Sequence, residues 1–205
     1  MAEQWLVVVT GWTGAGKSTI SDLVAADMGA TVASFDWVMS GLRALPEVWD
    51  HVEFPTERQR RVGWNLLARI AEQQLRRGSS CVLDVVAREE PVVEWRALAE
   101  SYGAVFAVIE CSCSDIDVHR FRVVGRQRGI PGWYELDWER VSRGRDRYEP
   151  LAEPKLMIDA VDTIESNLGR VREYLARQSS RTAQSFAELP GNAVQRNLPG
   201  GPATR

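Results

Sequence analysis

Cysteine and histidine are scarce in this chain of 205 residues, which contains three cysteines and two histidines. An odd number of cysteines does not suit a disulfide framework in a chain of this length. Cys111 and Cys113 lack the C-x-x-C spacing of a metal or redox site, and neither His51 nor His119 forms a ligand pattern with them. We therefore expect reduced thiols that are buried at a strand end.

Long apolar runs and a strong excess of either charge are missing as well. The apolar runs fall far short of the ~20 residues that span a bilayer, and the N-terminus lacks the basic-then-apolar layout of a signal peptide. A net charge of −3 argues against a general nucleic-acid binder, whose domain would usually be strongly basic. We therefore expect a cytoplasmic, single-domain protein that acts on small molecules.

Lysine is also nearly absent, and one of the two lysines lies in a complete phosphate-binding loop. Residues 11–18 have the pattern G-x-x-x-x-G-K-S and follow a β-branched apolar run. The glycines of such a loop let consecutive backbone N–H groups face an anion at the start of a helix. Lys17 would reach the β- and γ-phosphates of ATP, while the Ser18 hydroxyl would bind Mg²⁺. The predicted nucleotide-binding residues are Gly11, Trp12, Thr13, Gly14, Ala15, Gly16, Lys17, Ser18 and Thr19.

Short β-rich segments alternate with helical patterns along most of the chain. The predicted strands cover residues 5–10, 31–35, 80–86, 104–111 and 155–158. The predicted helices cover residues 17–28, 56–77, 91–102, 114–129, 133–148 and 163–178. This alternation implies an α/β fold, in which helices cover both faces of a parallel sheet and ligands bind at the carboxyl ends of the strands. Residues 179–205 have little apolar content and are expected to form a disordered tail after a domain at 1–178.

Two of the predicted helices carry start signals. Thr56 and Gln59 form a capping box before helix 56–77, and Ser114 with Asp117 opens helix 114–129. In helix 56–77, the apolar stripe expected to face the sheet consists of Val62, Leu66, Ile70 and Leu75.

Two aspartates stand where strands meet the expected ligand-binding edge. Asp36 directly follows the second strand and could accept a proton from a substrate hydroxyl, although an aspartate there could instead cap the next helix. Asp84 lies within the third strand, where a carboxylate needs a partner or a metal. It could hold Mg²⁺ or the acceptor, and Arg88 in the loop that follows is a further acceptor-binding candidate.

Arginines and tryptophans supply the remaining candidates. Arg122 and Arg126 are four residues apart, so on a helix they would share a face and could neutralise a transferring phosphoryl group. A solvated basic face is the alternative, but the following Gly-Ile-Pro-Gly break suggests a hinged lid at about residues 120–147. Trp12 and Trp37 lie on loops at strand ends, where a nucleobase or an aromatic acceptor could stack.

Together these residues resemble the small-molecule kinase branch of P-loop proteins, which includes adenylate kinase, adenylyl-sulfate kinase, chloramphenicol phosphotransferase and RNA-repair kinases. The resemblance rests on residues 11–19, Asp36, Asp84 and the pair Arg122 and Arg126. It implies a three-layer fold with sheet order 2-3-1-4-5, ATP and Mg²⁺ as cofactors, and a helical lid that carries the two arginines. It also implies that Asp36 acts as the base. Met39 stands where RNA-repair kinases usually have an arginine, which favours a neutral hydroxyl acceptor.

The sequence therefore predicts an ATP-dependent kinase that phosphorylates a hydroxyl of a small molecule, such as an antibiotic, a nucleoside or a metabolite. The predicted catalytic residues are Lys17, Asp36, Arg122 and Arg126. The predicted acceptor-binding residues are Asp36, Trp37, Asp84 and Arg88, and the predicted metal-binding residues are Ser18 and Asp84. Two alternatives stay open: a polynucleotide 5′-hydroxyl kinase, which the acidic charge disfavours, and a nucleotide-dependent switch ATPase that needs no acceptor.

Overall fold

Five short strands form one parallel sheet in the computed structural model, which describes residues 3–49 and 57–187. The strands are β1 (Trp5–Gly11), β2 (Thr31–Ser34), β3 (Cys81–Asp84), β4 (Val105–Ser112) and β5 (Leu156–Asp159). Their order is β2-β3-β1-β4-β5, and every neighbouring pair is parallel. The five predicted strands and the predicted order 2-3-1-4-5 are confirmed.

Helices cover both faces of this sheet. Those within the described residues are α1 (Lys17–Met28), α2 (Phe35–Arg43), α3 (Pro46–Trp49), α4 (Glu57–Arg76), α5 (Glu89–Ser101), α6 (Ile116–Val123), α7 (Trp138–Arg145) and α8 (Ile164–Ala187). Two of these helices, α2 and α3, are short and were not predicted from the sequence. Helix α2 begins directly after β2, and α3 follows α2. None of the helices in the described residues is both long enough and apolar enough to cross a membrane.

The central strand β1 shows how the layers are built. Its alternating side chains are fully buried, with Leu6 and Val8 packed on one face and Val7 and Val9 on the other. The first face is covered by α4 and α5, and the second by α1 and α8. Because both faces of a parallel strand are covered, its sequence is continuously apolar rather than alternating.

The buried face of α4 differs from the predicted one. Val62 is 39% exposed, and Leu66 and Ile70 are only half-buried. The residues that face the core are Gln59, Gly63, Trp64, Leu67, Ala71 and Leu75. The helix is rotated because the large Trp64 ring enters the core and Gly63 lies directly against the Phe35 ring. Thr56, the other half of the predicted capping box, lies outside the described residues.

Several predicted helix boundaries are wrong. The side chain of Asp115, not Ser114, caps α6 by accepting hydrogen bonds from the backbone N–H groups of Asp117 and Val118. That helix ends at Val123, because Gly125 adopts a positive φ of 73°. Asp137 caps α7, which therefore begins at Trp138 rather than at 133.

The last helix, α8, extends beyond the predicted end at 178. It continues to Ala187, because no glycine or proline interrupts residues 179–187. The predicted disordered tail is therefore wrong for residues 179–187. Residues 188–205 of that tail lie outside the described residues.

Candidate functional site

The phosphate-binding loop joins β1 to α1 at the edge where the parallel strands end. Lys17 is the first residue of α1, and its Nζ donates a hydrogen bond of 3.3 Å to the backbone oxygen of Trp12. The loop opens into a cavity of about 1760 Å³, which also reaches the ends of β2 and β3. All the predicted nucleotide-binding residues except Gly11 line this cavity. A Cβ at Gly11 would lie 2.0 Å from the backbone oxygen of Cys111, so this glycine serves the close approach of β4.

Ser18 and Asp84 meet on the floor of the cavity. The Ser18 hydroxyl donates a 2.8 Å hydrogen bond to Oδ2 of Asp84, whose side chain is buried. Burial raises the pKa of Asp84, while nearby Lys17 and the Ser18 hydrogen bond lower it. A hydroxyl and a carboxylate are oxygen ligands of the kind that Mg²⁺ accepts, with waters and phosphate oxygens as its other ligands. Within the described residues, no group of three or more histidine, cysteine, aspartate or glutamate side chains is arranged so that it could hold a metal ion.

Asp36 lies in the first turn of α2 and lines the same cavity. It is not the helix cap, because Ser34 holds the N-cap position. Its Oδ2 instead accepts a hydrogen bond from Nη1 of Arg128, a residue of the segment between α6 and α7. The structure thus brings Asp36 and Asp84 to one cavity, and it adds Arg128, which sequence analysis did not select.

Arg122 and Arg126 both line the cavity, but they do not share a helix face. Arg122 lies in the last turn of α6 and donates a 2.6 Å hydrogen bond to the backbone oxygen of Ala160. Arg126 lies beyond the end of the helix, 3.5 Å from a carboxylate oxygen of Glu135. Burial lowers the pKa of Arg126, and the neighbouring Arg128 lowers it further, whereas Glu135 raises it.

Of the two predicted tryptophan contacts, Trp12 is held by α7 and Trp37 lies outside the cavity. Nε1 of Trp12 donates a 2.8 Å hydrogen bond to the backbone oxygen of Val141, and its ring lies against Gly144. Trp37 is 53% exposed and does not line the cavity. Because consecutive helical residues point about 100° apart, a helix that aims Asp36 at the cavity turns Trp37 away. The structure therefore does not bring Trp37 to the cavity in which its acceptor contact was predicted.

Arg88, a predicted acceptor-binding residue, lines the cavity and is the N-cap residue of α5. Residues 120–147, which are predicted to form a lid, contain the second half of α6, the intervening segment and α7, and six of their arginines line the cavity. They are Arg122, Arg126, Arg128, Arg140, Arg143 and Arg147.

His119 on α6 is a further residue next to the phosphate loop that was not predicted from the sequence. The ring is buried, and Nε2 lies 2.7 Å from the backbone oxygen of Thr13 in the phosphate loop. A carbonyl oxygen only accepts, so Nε2 carries the proton and donates. The same ring packs edge-on against Trp138 of α7, with centroids 5.3 Å apart. A lone histidine on a helix gives no sequence signal for such a role. Arg128, in contrast, could have been selected from the sequence, because it lies beside the candidates Arg122 and Arg126.

Several solved structures share the fold of this chain. A search of curated proteins returned no match. Among solved structures, one from Chloroflexus aurantiacus is 21% identical with a TM-score of 0.59, and the match covers 83% of this chain and 97% of that one. The APS kinase of Mycobacterium tuberculosis, solved with AMPPNP and APS, is 20% identical with a TM-score of 0.57, covering 85% and 98%. A gluconokinase from Sinorhizobium meliloti 1021 is 19% identical with a TM-score of 0.56, covering 90% and 97%.

These likenesses establish a shared three-layer P-loop fold. A family model described as an AAA domain matches residues 6–151, from β1 to the loop before β5. The match contains the phosphate loop, Asp36, Asp84 and all three of Arg122, Arg126 and Arg128. The chain therefore belongs to this AAA domain family of P-loop proteins.

Proposed function

We propose that this protein is an ATP-dependent kinase that transfers the γ-phosphoryl group to a hydroxyl of a small-molecule acceptor. The observation that carries the proposal is one cavity lined by the phosphate loop, by two carboxylates at strand ends and by arginines from the lid. The APS kinase and gluconokinase that share the fold are small-molecule kinases by name, which supports the same class here.

The residues divide the work of phosphoryl transfer between them. The loop N–H groups and Lys17 bind the phosphates of ATP, and Arg122 and Arg126 face the charge that spreads over the transferring oxygens. Ser18 and Asp84 would hold Mg²⁺, which neutralises phosphate charge when it is bound. The acceptor oxygen attacks the γ-phosphorus while the bond to the β–γ bridging oxygen breaks. Asp36 takes the hydroxyl proton, and ADP leaves with the electron pair of the broken bond.

Substitution of Lys17 and Asp36 tests this division. We expect Lys17→Ala and Asp36→Asn each to abolish phosphoryl transfer in a screen of hydroxyl compounds with ATP and Mg²⁺, monitored by ADP release and by mass spectrometry of the product. Calorimetry should show that Asp36→Asn still binds ATP, because its carboxylate is not part of the phosphate loop. Asp27→Asn is the matched control, since this exposed carboxylate pairs with Arg172 and does not line the cavity.

Two outcomes would contradict the proposal in different ways. Near-normal turnover by Asp36→Asn would remove Asp36 as the base. Steady ATP hydrolysis that no compound of the screen changes would favour a switch ATPase instead of a kinase.

A further inference from the structure

The segment between α6 and α7, residues 124–137, packs against α2 and α3, and we call it the lid segment. Three of its side chains make this contact. Arg128 forms an ion pair with Asp36. Cζ of Arg43 lies 4.8 Å from the centroid of the Tyr134 ring. Trp133 packs edge-on against Trp49, with ring centroids 6.2 Å apart. The lid segment thus touches the helix that carries Asp36 at its first turn and again at its last residue.

Arg128 is the centre of this contact, because its partners hold it from both sides. Its Nε lies 3.2 and 2.9 Å from the two carboxylate oxygens of Glu135, and its backbone N–H donates to the same carboxylate at 2.9 Å. Its Nη2 donates a 3.2 Å hydrogen bond to the backbone oxygen of Tyr134. These bonds leave Nη1 directed at Oδ2 of Asp36, and the Arg128 side chain is only 18% exposed.

We propose that Arg128 is a positioning residue that fixes the carboxylate of Asp36 for proton transfer and links it to the lid segment. This inference rests on the proposed function, because it assigns Arg128 a role through the base of that reaction. The guanidinium stays protonated at any working pH, so it cannot compete for the transferred proton. With Oδ2 engaged by Arg128, Oδ1 is the oxygen that accepts the proton of the acceptor hydroxyl.

The planar guanidinium suits this role better than an ammonium would. Its Nε binds Glu135 while its Nη1 binds Asp36, whereas a lysine would supply a single point charge. A small displacement of a catalytic group can lower the reaction rate on the order of 100-fold. Loss of the orientation of Asp36 should therefore lower kcat.

The test compares Arg128→Gln, Arg128→Lys and the wild-type chain with the acceptor found in the screen. We expect Arg128→Gln to lower kcat by about 10–100-fold while the KM for ATP changes less than about 2-fold. Arg128→Lys should recover part of kcat, since it restores the charge without the fork. Arg172→Gln removes the bidentate ion pair with Asp27, far from the cavity, and should leave both constants unchanged.

Thermal unfolding provides a second measurement that needs no activity. The Tm changes of Arg128→Gln and Asp36→Asn should be non-additive in the double variant, because each removes the same contact. An unchanged kcat in folded Arg128→Gln would overturn the positioning role while leaving the kinase proposal intact. Absence of transfer by the wild-type chain to every compound would reject the kinase proposal and this inference with it. If Arg128→Gln does not fold, a kcat for Arg128→Lys equal to wild type overturns the inference.

Discussion

At the residue scale, His119 links the phosphate loop to α7 with a single ring. Its Nε2 donates to the backbone oxygen of Thr13, and Nδ1 is buried without a hydrogen-bond partner among the described residues. Protonation would place a charge on Nδ1 in that environment. Burial accordingly lowers the pKa of His119, and the cations Arg145, Arg122 and Lys17 lower it further, against the hydrogen bond to Thr13.

This lowered pKa predicts a specific loss of stability in acid. The unfolded histidine, with a pKa of about 6.5, takes up a proton before the folded one does, so folding stability falls as the pH drops below that value. We expect the Tm of the wild-type chain to fall more between pH 7.5 and pH 5.5 than that of His119→Gln, whose amide can still donate to Thr13. Parallel Tm curves for the two proteins would show that His119 does not carry this effect. Groups such as Asp84 titrate in both proteins and cancel in the difference.

At the scale of elements, α7 is fastened to the phosphate loop rather than free to swing. Trp12 donates to Val141 and packs on Gly144, while Arg145 donates to the backbone oxygens of Cys113 and Ser114 at 3.1 and 3.0 Å. Arginines of α7 that face the cavity would then follow the position of the phosphate loop.

Gly144→Ala tests this attachment. The added Cβ would lie 2.0 Å from Cζ2 of Trp12, so either α7 or the loop must shift. We expect a loss of about 1–3 kcal/mol in the free energy of unfolding, as for other overpacked sites, together with a raised KM for ATP. Urea unfolding and steady-state kinetics provide the two values.

Gly169→Ala is the matched control, because it makes the same change in helix α8 where a Cβ would meet nothing within 4 Å. A helix-interior Gly→Ala change without a clash should be stabilising by about 0.5–1 kcal/mol. Equal effects of the two substitutions would mean that Trp12 does not fasten α7.

The elements most accurately predicted are those with one dominant signal. The strand–loop–helix unit around Lys17 was predicted with the right bounds for α1, because a glycine pattern fixes it locally. The buried face of α4 was predicted wrongly. Val62 and Trp64 are both apolar, and the burial of Trp64 together with the fit of Gly63 against Phe35 selects the face that turns to the core. The pairing of Asp36 with Arg128 spans 92 residues and depends on the path of the lid segment, which local patterns do not define.

At the scale of the whole molecule, an ion pair connects strand β4 of the sheet to the loop that precedes β5. Glu110 on β4 is 1% exposed, and its Oε2 lies 3.3 Å from Nζ of Lys155. The same oxygen accepts a 3.2 Å hydrogen bond from the backbone N–H of Leu151, and Lys155 donates to the backbone oxygen of Leu151. Among the described residues, the charge of Glu110 is thus compensated by the lysine of the loop before β5.

Removal of Lys155 should destabilise the fold globally. Lys155→Met leaves the Glu110 charge buried without its cation, which typically costs about 3–5 kcal/mol. Urea unfolding should show a lower midpoint with an unchanged m-value. Adding Glu110→Gln should recover part of the loss, because the amide oxygen can still accept from Leu151 without carrying a charge. A double variant no more stable than Lys155→Met would argue against an electrostatic cause.

The scarcity of lysine has a chemical consequence once both side chains are located. Lys155 is 14% exposed and held by Glu110 and the Leu151 carbonyl, so its amine is shielded and engaged. Lys17 lies in the wall of the open cavity. Of the two lysine side chains, Lys17 is therefore the one that amine-directed reagents can reach on the folded protein. In the proposed reaction, Lys17 contacts the phosphates. The extent of covalent modification of Lys17 therefore reports whether the phosphate loop is occupied.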